Sequence, residues 1–127
     1  MSHRILVIGS NSFSGASFVR YLLAAGHQVL GVSRSGEPHT VFLPYKWQDS
    51  KARFDFHQID INHQLNELMS LIEEHQPEYV VNFAAQGMVA QSWETPEHWY
   101  QTNVVGQVLL HDQLRKCRYL KKYVHVS

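Results

Sequence analysis

The sequence predicts an α/β protein built on a doubly wound parallel sheet, and two observations support this fold class. Five short runs have the length and composition of strands: 4–8, 28–33, 54–59, 78–83 and 122–126. After Arg4, the first run is continuously apolar up to a glycine, which is typical of a strand covered by helices on both faces. Segments with helical spacing of apolar residues lie between the runs, and such alternation implies parallel strands joined by right-handed crossovers.

Two helices are predicted over 13–25 and 63–75. In the first, the apolar residues at helical spacing are Phe13, Ala16, Val19 and Leu23. Gly26 follows the first helix and Pro77 follows the second, and both residue types commonly end helices.

A third helix is predicted over 97–117, with Pro96 at a position that favours a helix start. Its apolar residues cover more than one face, so we expect one side to contact something other than the sheet. The segment 34–52 is rich in polar residues, glycine and proline, and predicts a loop with a short helical stretch.

Composition limits the class of protein. The chain has 127 residues, enough for one domain, and its 44% hydrophobic residues can form a core. Lysine and arginine number 11, as do aspartate and glutamate, so the charge balance does not favour a nucleic-acid partner. Cys117 is the sole cysteine, and no apolar run approaches the ~20 residues that span a membrane. With no signal-peptide pattern at the start, we expect a cytoplasmic protein without a membrane partner.

The turn after the first strand predicts a phosphate site. Gly9 and Gly15 are six residues apart with Ser12 midway, which is the G-x-x-G-x-x-G spacing with serine in the middle position. Gly9 permits a tight turn, and Gly15 permits close packing of the helix on the strand. Helix N–H groups bind phosphate there, and we expect Ser10, Ser12 and Ser14 to add hydroxyl donors. The alternative is a plain strand-to-helix turn that needs two glycines.

The end of the second strand predicts which dinucleotide would bind. In dinucleotide folds an acid at this point binds the 2′-hydroxyl of NAD, whereas an arginine accommodates the 2′-phosphate of NADP. Here the strand ends in Ser33 and Arg34, and no acid precedes Glu37. Because both Ser33 and Arg34 can donate to a phosphate, the sequence favours NADP over NAD. A solvated surface arginine is the alternative for Arg34.

Several motifs together resemble the extended short-chain dehydrogenases/reductases. They are the glycine turn, Asp60-Ile61, NFAAQGMVAQSWETPEHWYQTNVVGQVLLHDQLR (82–115) and YVHVS (123–127). Within that family the resemblance is to the nucleotide-sugar epimerase/dehydratase branch, and it is nearest to the sugar-nucleotide 4,6-dehydratases. It implies a Rossmann-type sheet of strand order 3-2-1-4-5, incomplete at the C-terminus, within an NAD(P)-binding domain that covers 1–127.

The resemblance also implies roles for individual residues. The residues it places at the cofactor are Phe13 and Ser14 at the pyrophosphate, Asp60 and Ile61 at the adenine, and Ala84, Ala85 and Gln86 on the ribose and nicotinamide side. Thr102, which matches the family's TN-V-x-G helix segment, is also implied to bind the cofactor. Asp60 also ends a strand at the edge where α/β sheets bind ligands. A helix cap is an alternative for Asp60, and tight helix packing is an alternative for the small residues at 84 and 85.

The resemblance further implies transient hydride transfer at C4 of a nucleotide sugar, as in a dehydratase or an epimerase. The family's catalytic Tyr-x-x-x-Lys does not occur in these 127 residues. We therefore expect an inactive N-terminal piece of an enzyme of ~300 residues, the size of two lobes. The substrate would bind through the missing C-terminal region, and the helix at 97–117 would form a homodimer.

Two other functions are compatible with the sequence. A non-catalytic module that senses NADP(H) or binds a partner is one alternative, and a carbonyl reductase of the same superfamily is another. A metal site is not expected, because the nine histidines form no helical i, i+4 pair and there is no supporting cysteine.

Overall fold

The computed structural model describes residues 2–39, 41, 43–46, 53–61, 63–84 and 106–126. The elements, in chain order, are β1 (Arg4–Ile8), α1 (Phe13–Ala24), β2 (Gln28–Ser33), a 3₁₀ turn (Pro44–Lys46), β3 (Phe54–Gln58), α2 (Leu65–His75), β4 (Tyr79–Asn82), α3 (Gly106–Leu114) and β5 (Lys122–His125).

The five strands form one parallel sheet of order β3-β2-β1-β4-β5, which confirms the doubly wound Rossmann-type prediction. In the central register, Leu6 of β1 lies opposite Leu30 of β2 and Val80 of β4. The chain runs outward from β1 to β3 and then returns to pair β4 on the other side of β1. This reversal places a crevice beyond the carboxyl ends of β1 and β4, where open α/β sheets bind ligands.

Helices cover both faces of the sheet. On one face α1 and the 3₁₀ turn bury Ile5, Val7, Ala16, Val19, Leu22, Leu23, Val29, Leu43 and Tyr45. On the other face α2 and α3 bury Leu6, Ile8, Leu30, Val32, Ile59, Ile61, Leu68, Leu71, Ile72, Val80, Leu110 and Leu114. The strands therefore alternate between two cores, which explains why β1 is apolar at successive positions.

The helix boundaries agree closely with the predicted ones. Helix α1 ends one residue early, and Gly26 follows it with φ of +88° while its N–H donates to the Leu23 carbonyl, 3.0 Å away. This confirms that Gly26 ends the helix. The described part of the third helix ends at Leu114 rather than at Cys117, and the predicted stretch 97–105 lies outside the described residues.

The prediction that Phe13 belongs to the apolar stripe of α1 is wrong. Its side chain is 90% exposed, whereas the buried residues of α1 are Gly15, Ala16, Val19, Leu22 and Leu23. At about 3.6 residues per turn, these buried residues centre on a different side of the helix from Phe13, so the Phe13 side chain faces solvent. Among the described residues, no helix is long and apolar enough to cross a membrane.

Candidate functional site

The candidate site begins at the turn between β1 and α1. Gly9 follows β1 directly and has φ of +82°, a backbone region that favours glycine. A Cβ atom at this position would lie 3.0 Å from the Ala84 nitrogen and 3.0 Å from the Phe83 carbonyl carbon. The turn therefore passes directly against the segment that follows β4. The predicted need for glycine at this position is confirmed.

Gly15 is required because α1 starts against the turn. A Cβ atom there would lie 2.1 Å from the Gly9 carbonyl oxygen, far inside van der Waals contact. Ser12 is the N-cap of α1: its hydroxyl accepts from the Gly15 N–H at 3.0 Å and donates to the Gly9 carbonyl at 2.7 Å. The Ser12 hydroxyl thus caps the helix, and its predicted contact with a phosphate remains a prediction.

The first helical N–H groups are available for an anion. The N–H groups of Phe13 and Ser14 have no acceptor within the part of the chain that the structure describes. Both residues are exposed, and the first turn of α1 carries no acidic side chain. Two free donors and the positive end of the helix dipole at a glycine turn form an anion site.

The end of β2 lies beside this turn. Ser33 is buried, and its hydroxyl accepts from the Asn11 N–H at 3.1 Å. Arg34 is exposed, and its carbonyl accepts from the Gln58 side chain at 3.3 Å. Ser33 and Arg34 are therefore brought to the same edge of the sheet as the glycine turn.

Glu37, the first acid after β2, is engaged by side chains of the 3₁₀ turn. Its carboxylate accepts a hydrogen bond of 2.5 Å from the Tyr45 hydroxyl and lies 3.1 Å from the Lys46 ammonium group. Burial raises the pKa of Tyr45, and the neighbouring Glu37 carboxylate raises it further, so Tyr45 remains a hydrogen-bond donor. The carboxylate is thereby engaged by the 3₁₀ turn.

Asp60 and Ile61 follow β3 at the same edge. The Asp60 carbonyl accepts from the N–H groups of His63 and Gln64, at 3.2 and 2.7 Å. The N-cap position of α2 is Gln64, so the alternative that Asp60 caps this helix is wrong because the cap lies four residues later. The Ile61 side chain is buried in the core, so its predicted contact with adenine would involve its backbone.

A buried polar network holds the segment after β4. Asn82 is fully buried, donates to the Gln107 side chain and to the Tyr123 hydroxyl, and accepts from the Ala84 N–H at 2.8 Å. Gln107 donates in turn to the Ala84 carbonyl at 2.6 Å. Both backbone polar groups of Ala84 are therefore held by side chains. The predicted site residues Ala85, Gln86 and Thr102 lie outside the described residues.

Sequence reasoning missed three residues that shape this edge: Asn11, Gln107 and Gly31. A Cβ atom at Gly31 would lie 2.7 Å from the Ser10 hydroxyl and 2.8 Å from the Phe54 ring.

The sequence signal that could have revealed the hydrogen-bond network after β4 is Asn82. This residue is polar in an otherwise apolar strand, and buried amides are almost always hydrogen-bonded. Asn11 and Gln107 form hydrogen bonds with residues far away in the sequence, so no local sequence pattern indicates their roles.

No group of three metal-ligating side chains occurs among the residues described. The rings of His57 and His75 come within 6.4 Å of each other, centre to centre.

Comparison with known proteins defines the class of protein. The protein-family model described as GDP-mannose 4,6 dehydratase matches residues 6–127 of this chain. The chain is 29% identical over 119 residues to GDP-mannose 4,6-dehydratase of Vibrio cholerae, covering 91% of this chain and 32% of that protein. It is 33% identical over 126 residues to UDP-glucose 4-epimerase of Mycolicibacterium smegmatis, covering 98% and 38%.

A solved structure gives the same picture. The crystal structure of UDP-glucose 4-epimerase from Brucella ovis in complex with NAD superposes with a TM-score of 0.75 at 27% identity, covering 92% of this chain and 33% of that one. The α/β fold and the glycine turn thus define a protein of the nucleotide-sugar dehydratase and epimerase class. In particular, the chain belongs to the GDP-mannose 4,6-dehydratase family. It spans about a third of the length of the curated relatives it matches.

Proposed function

We propose that residues 1–127 form the dinucleotide-binding part of a nucleotide-sugar 4,6-dehydratase or 4-epimerase. Family membership over residues 6–127 is the observation that carries this proposal. The geometry of the β1–α1 turn supports it, because two unpaired N–H groups at a glycine turn suit a pyrophosphate.

Each part of the carboxyl edge would hold a different part of the dinucleotide. The N–H groups of Phe13 and Ser14 would bind the pyrophosphate, and Gly9 and Gly15 would allow its close approach. Asp60 and Ile61 would border the adenine. The residues on the ribose and nicotinamide side would be Ala84, Ala85 and Gln86, and Thr102 would also contribute to cofactor binding.

We propose NADP rather than NAD as the preferred cofactor, although the Brucella ovis relative was solved with NAD. Arg34 is exposed beside the turn, where a guanidinium can pair with a 2′-phosphate. Glu37, the nearest acid along the chain, is engaged by Tyr45 and Lys46 and does not compete for that position. Arg34→Ala should therefore weaken NADP binding by roughly 10- to 100-fold and leave NAD binding nearly unchanged, since a charged hydrogen bond contributes about 1.5–3 kcal/mol.

When bound in its oxidised form, the cofactor would supply reversible hydride transfer: the hydride taken from C4 of the sugar would be returned to C6 after water loss in a dehydratase, or to the other face of C4 in an epimerase. The residues described here would bind and orient the dinucleotide, and the network around Asn82 would hold the backbone on its nicotinamide side. The Tyr-x-x-x-Lys pair that transfers protons in the family is not among these 127 residues. We therefore propose that the chain alone binds cofactor weakly and does not turn over.

We extend the proposal to the partners and the cellular compartment of the protein. The nucleotide sugar would bind mainly through residues outside this chain. Val108 and Leu109 of α3 are 61% and 49% exposed, which supports a homodimer through the helix predicted at 97–117. We propose a cytoplasmic enzyme.

The test uses the complete gene product that carries this chain. GDP-mannose, UDP-glucose and a panel of other nucleotide sugars are incubated with it in the presence of NADP or NAD, and the products are followed by proton NMR. A 4-keto-6-deoxy sugar identifies a dehydratase, and a C4 epimer identifies an epimerase. Cofactor binding with neither product from any nucleotide sugar would overturn the proposal and favour a cofactor-sensing module or a carbonyl reductase.

A further inference from the structure

We propose that Asn11 is a positioning residue for cofactor selectivity: it holds the loop 34–36 against the β1–α1 turn and so places Arg34 for a 2′-phosphate. This inference rests on the proposed dinucleotide function. It concerns a residue that touches neither the adenine nor the phosphate in the arrangement proposed above.

Asn11 makes three hydrogen bonds to the end of β2 and the loop that follows it. Its side-chain nitrogen donates to the Ser35 carbonyl at 3.0 Å and to the Gly36 carbonyl at 2.9 Å. Its backbone N–H donates to the Ser33 hydroxyl at 3.1 Å. One residue of the phosphate turn therefore holds three of the four residues from 33 to 36.

The orientation of the Asn11 amide follows from these carbonyls. Both hydrogens of the amide nitrogen point to backbone acceptors, whereas the amide oxygen is buried without a donor among the described residues. Rotating the amide by half a turn would set its oxygen against two carbonyl oxygens, which repel it. Only one orientation is thus compatible with the loop, and in that orientation Asn11 supplies donors alone.

The loop has few other restraints. Arg34, Ser35 and Gly36 are all exposed, so no buried side chain anchors them to the core. A Cβ atom at Gly36 would meet only the Gln58 side-chain oxygen, at 3.6 Å. Within the described part of the chain, the remaining hydrogen bond on this stretch runs from the Gln58 side chain to the Arg34 carbonyl, at 3.3 Å. The conformation of the loop therefore depends strongly on Asn11.

A fixed loop matters because Arg34 must meet a phosphate in a defined direction. A guanidinium binds phosphate best with two parallel N–H donors, and ordering a flexible arginine and its loop on binding lowers affinity. A loop already held by Asn11 avoids that cost for NADP. NAD lacks the 2′-phosphate and gains little from a positioned Arg34.

The experiment measures dissociation constants of NADP and NAD for the complete gene product and for Asn11→Ala, Arg34→Ala and the double variant. Asn11→Ala should weaken NADP binding roughly three- to tenfold, the effect of one newly mobile side chain, and should change NAD binding much less. In the Arg34→Ala background, adding Asn11→Ala should no longer change the ratio of the two constants. Ser17→Ala, on the exposed side of α1, is the matched control.

Equal weakening of NADP and NAD by Asn11→Ala would overturn the inference, since a purely structural role affects both. No change in either constant would also overturn it. If Asn11→Ala fails to fold, Asn11→Ser replaces it, because a single hydroxyl can make at most one of the two side-chain hydrogen bonds. A wild-type protein that binds neither dinucleotide would overturn the proposed function itself, whereas one that binds NAD as well as NADP would overturn only the selectivity.

Discussion

The carbonyl oxygen of Gly9 occupies the space in which a side chain at position 15 would have to begin. A Cβ atom on Gly15 would lie 2.1 Å from this oxygen, while the same oxygen accepts hydrogen bonds from the N–H and the hydroxyl of Ser12. The start of α1 and the end of β1 are therefore fitted to each other at the point where the anion site forms.

Gly15→Ala should destabilise the protein by about 1–3 kcal/mol, since the overpacked methyl group must displace the backbone of α1 or of the turn. Chemical denaturation of both proteins gives this difference in the free energy of unfolding. Gly36→Ala is the matched control, because its new Cβ atom has room. Equal stability of Gly15→Ala and the wild type would contradict the packing described here.

Ser12→Ala should lower stability by about 1 kcal/mol, because the Gly15 N–H loses the hydroxyl that caps it. The same denaturation measurement applies, with Ser17→Ala as a control on the exposed face of the same helix. A loss no greater than that of the control would show that the cap contributes nothing.

Glu78 lies at the amino-terminal edge of the sheet and should make the free energy of unfolding depend on pH. Its carboxylate lies 3.0 Å from the Lys121 ammonium group and 3.3 Å from the His3 ring nitrogen. Lys121 above all, and His3 next, lower the pKa of Glu78 from 4.5 to about 2. A carboxyl group with a lowered folded-state pKa stabilises the protein above its unfolded-state pKa, and this stability is lost as pH falls through the folded-state value.

The destabilisation caused by Glu78→Gln should therefore be largest above pH 4.5 and shrink as pH falls toward 2. Unfolding free energies across that range, compared with the exposed Glu74→Gln control, provide the measurement. A destabilisation that does not vary with pH would mean that the ion pairs of Glu78 do not act on folding.

Gln107→Ala should cost about 1–3 kcal/mol of stability, because it leaves the Ala84 carbonyl and one hydrogen of the buried Asn82 amide without their partner. Gln113→Ala, on the same helix, is the control, since no side-chain hydrogen bond of Gln113 occurs in the described part of the structure. If the two variants lose equal stability, the network does not hold the segment after β4.

The sheet could be predicted because its signals are local. The continuous run 4–8 predicts a strand buried on both faces, and Gly26 and Pro77 mark helix ends through backbone effects of single residues. The need for Gly9 and Gly15 likewise follows from the spacing of a turn. Parallel order and the crossing to β4 then follow from the alternation of strands and helices.

What escaped prediction depends on contacts between distant parts of the chain. Asn11 bonds to residues 22 to 25 positions away, and Asn82 bonds to Gln107, 25 positions away. Neither pairing has a local sequence pattern. The exposure of Phe13 was missed because apolar spacing alone does not show where the sheet beneath a helix ends. The roles of the predicted cofactor residues remain predictions.

A fluorescence titration of the complete gene product with NADPH shows most directly whether this chain supplies a dinucleotide site at the start of α1. We expect saturable binding of NADPH, which NADP should displace more effectively than NAD does and which replacement of Arg34 by alanine should weaken. If the folded protein shows no saturable binding of NADPH or of NADH, the chain does not supply such a site.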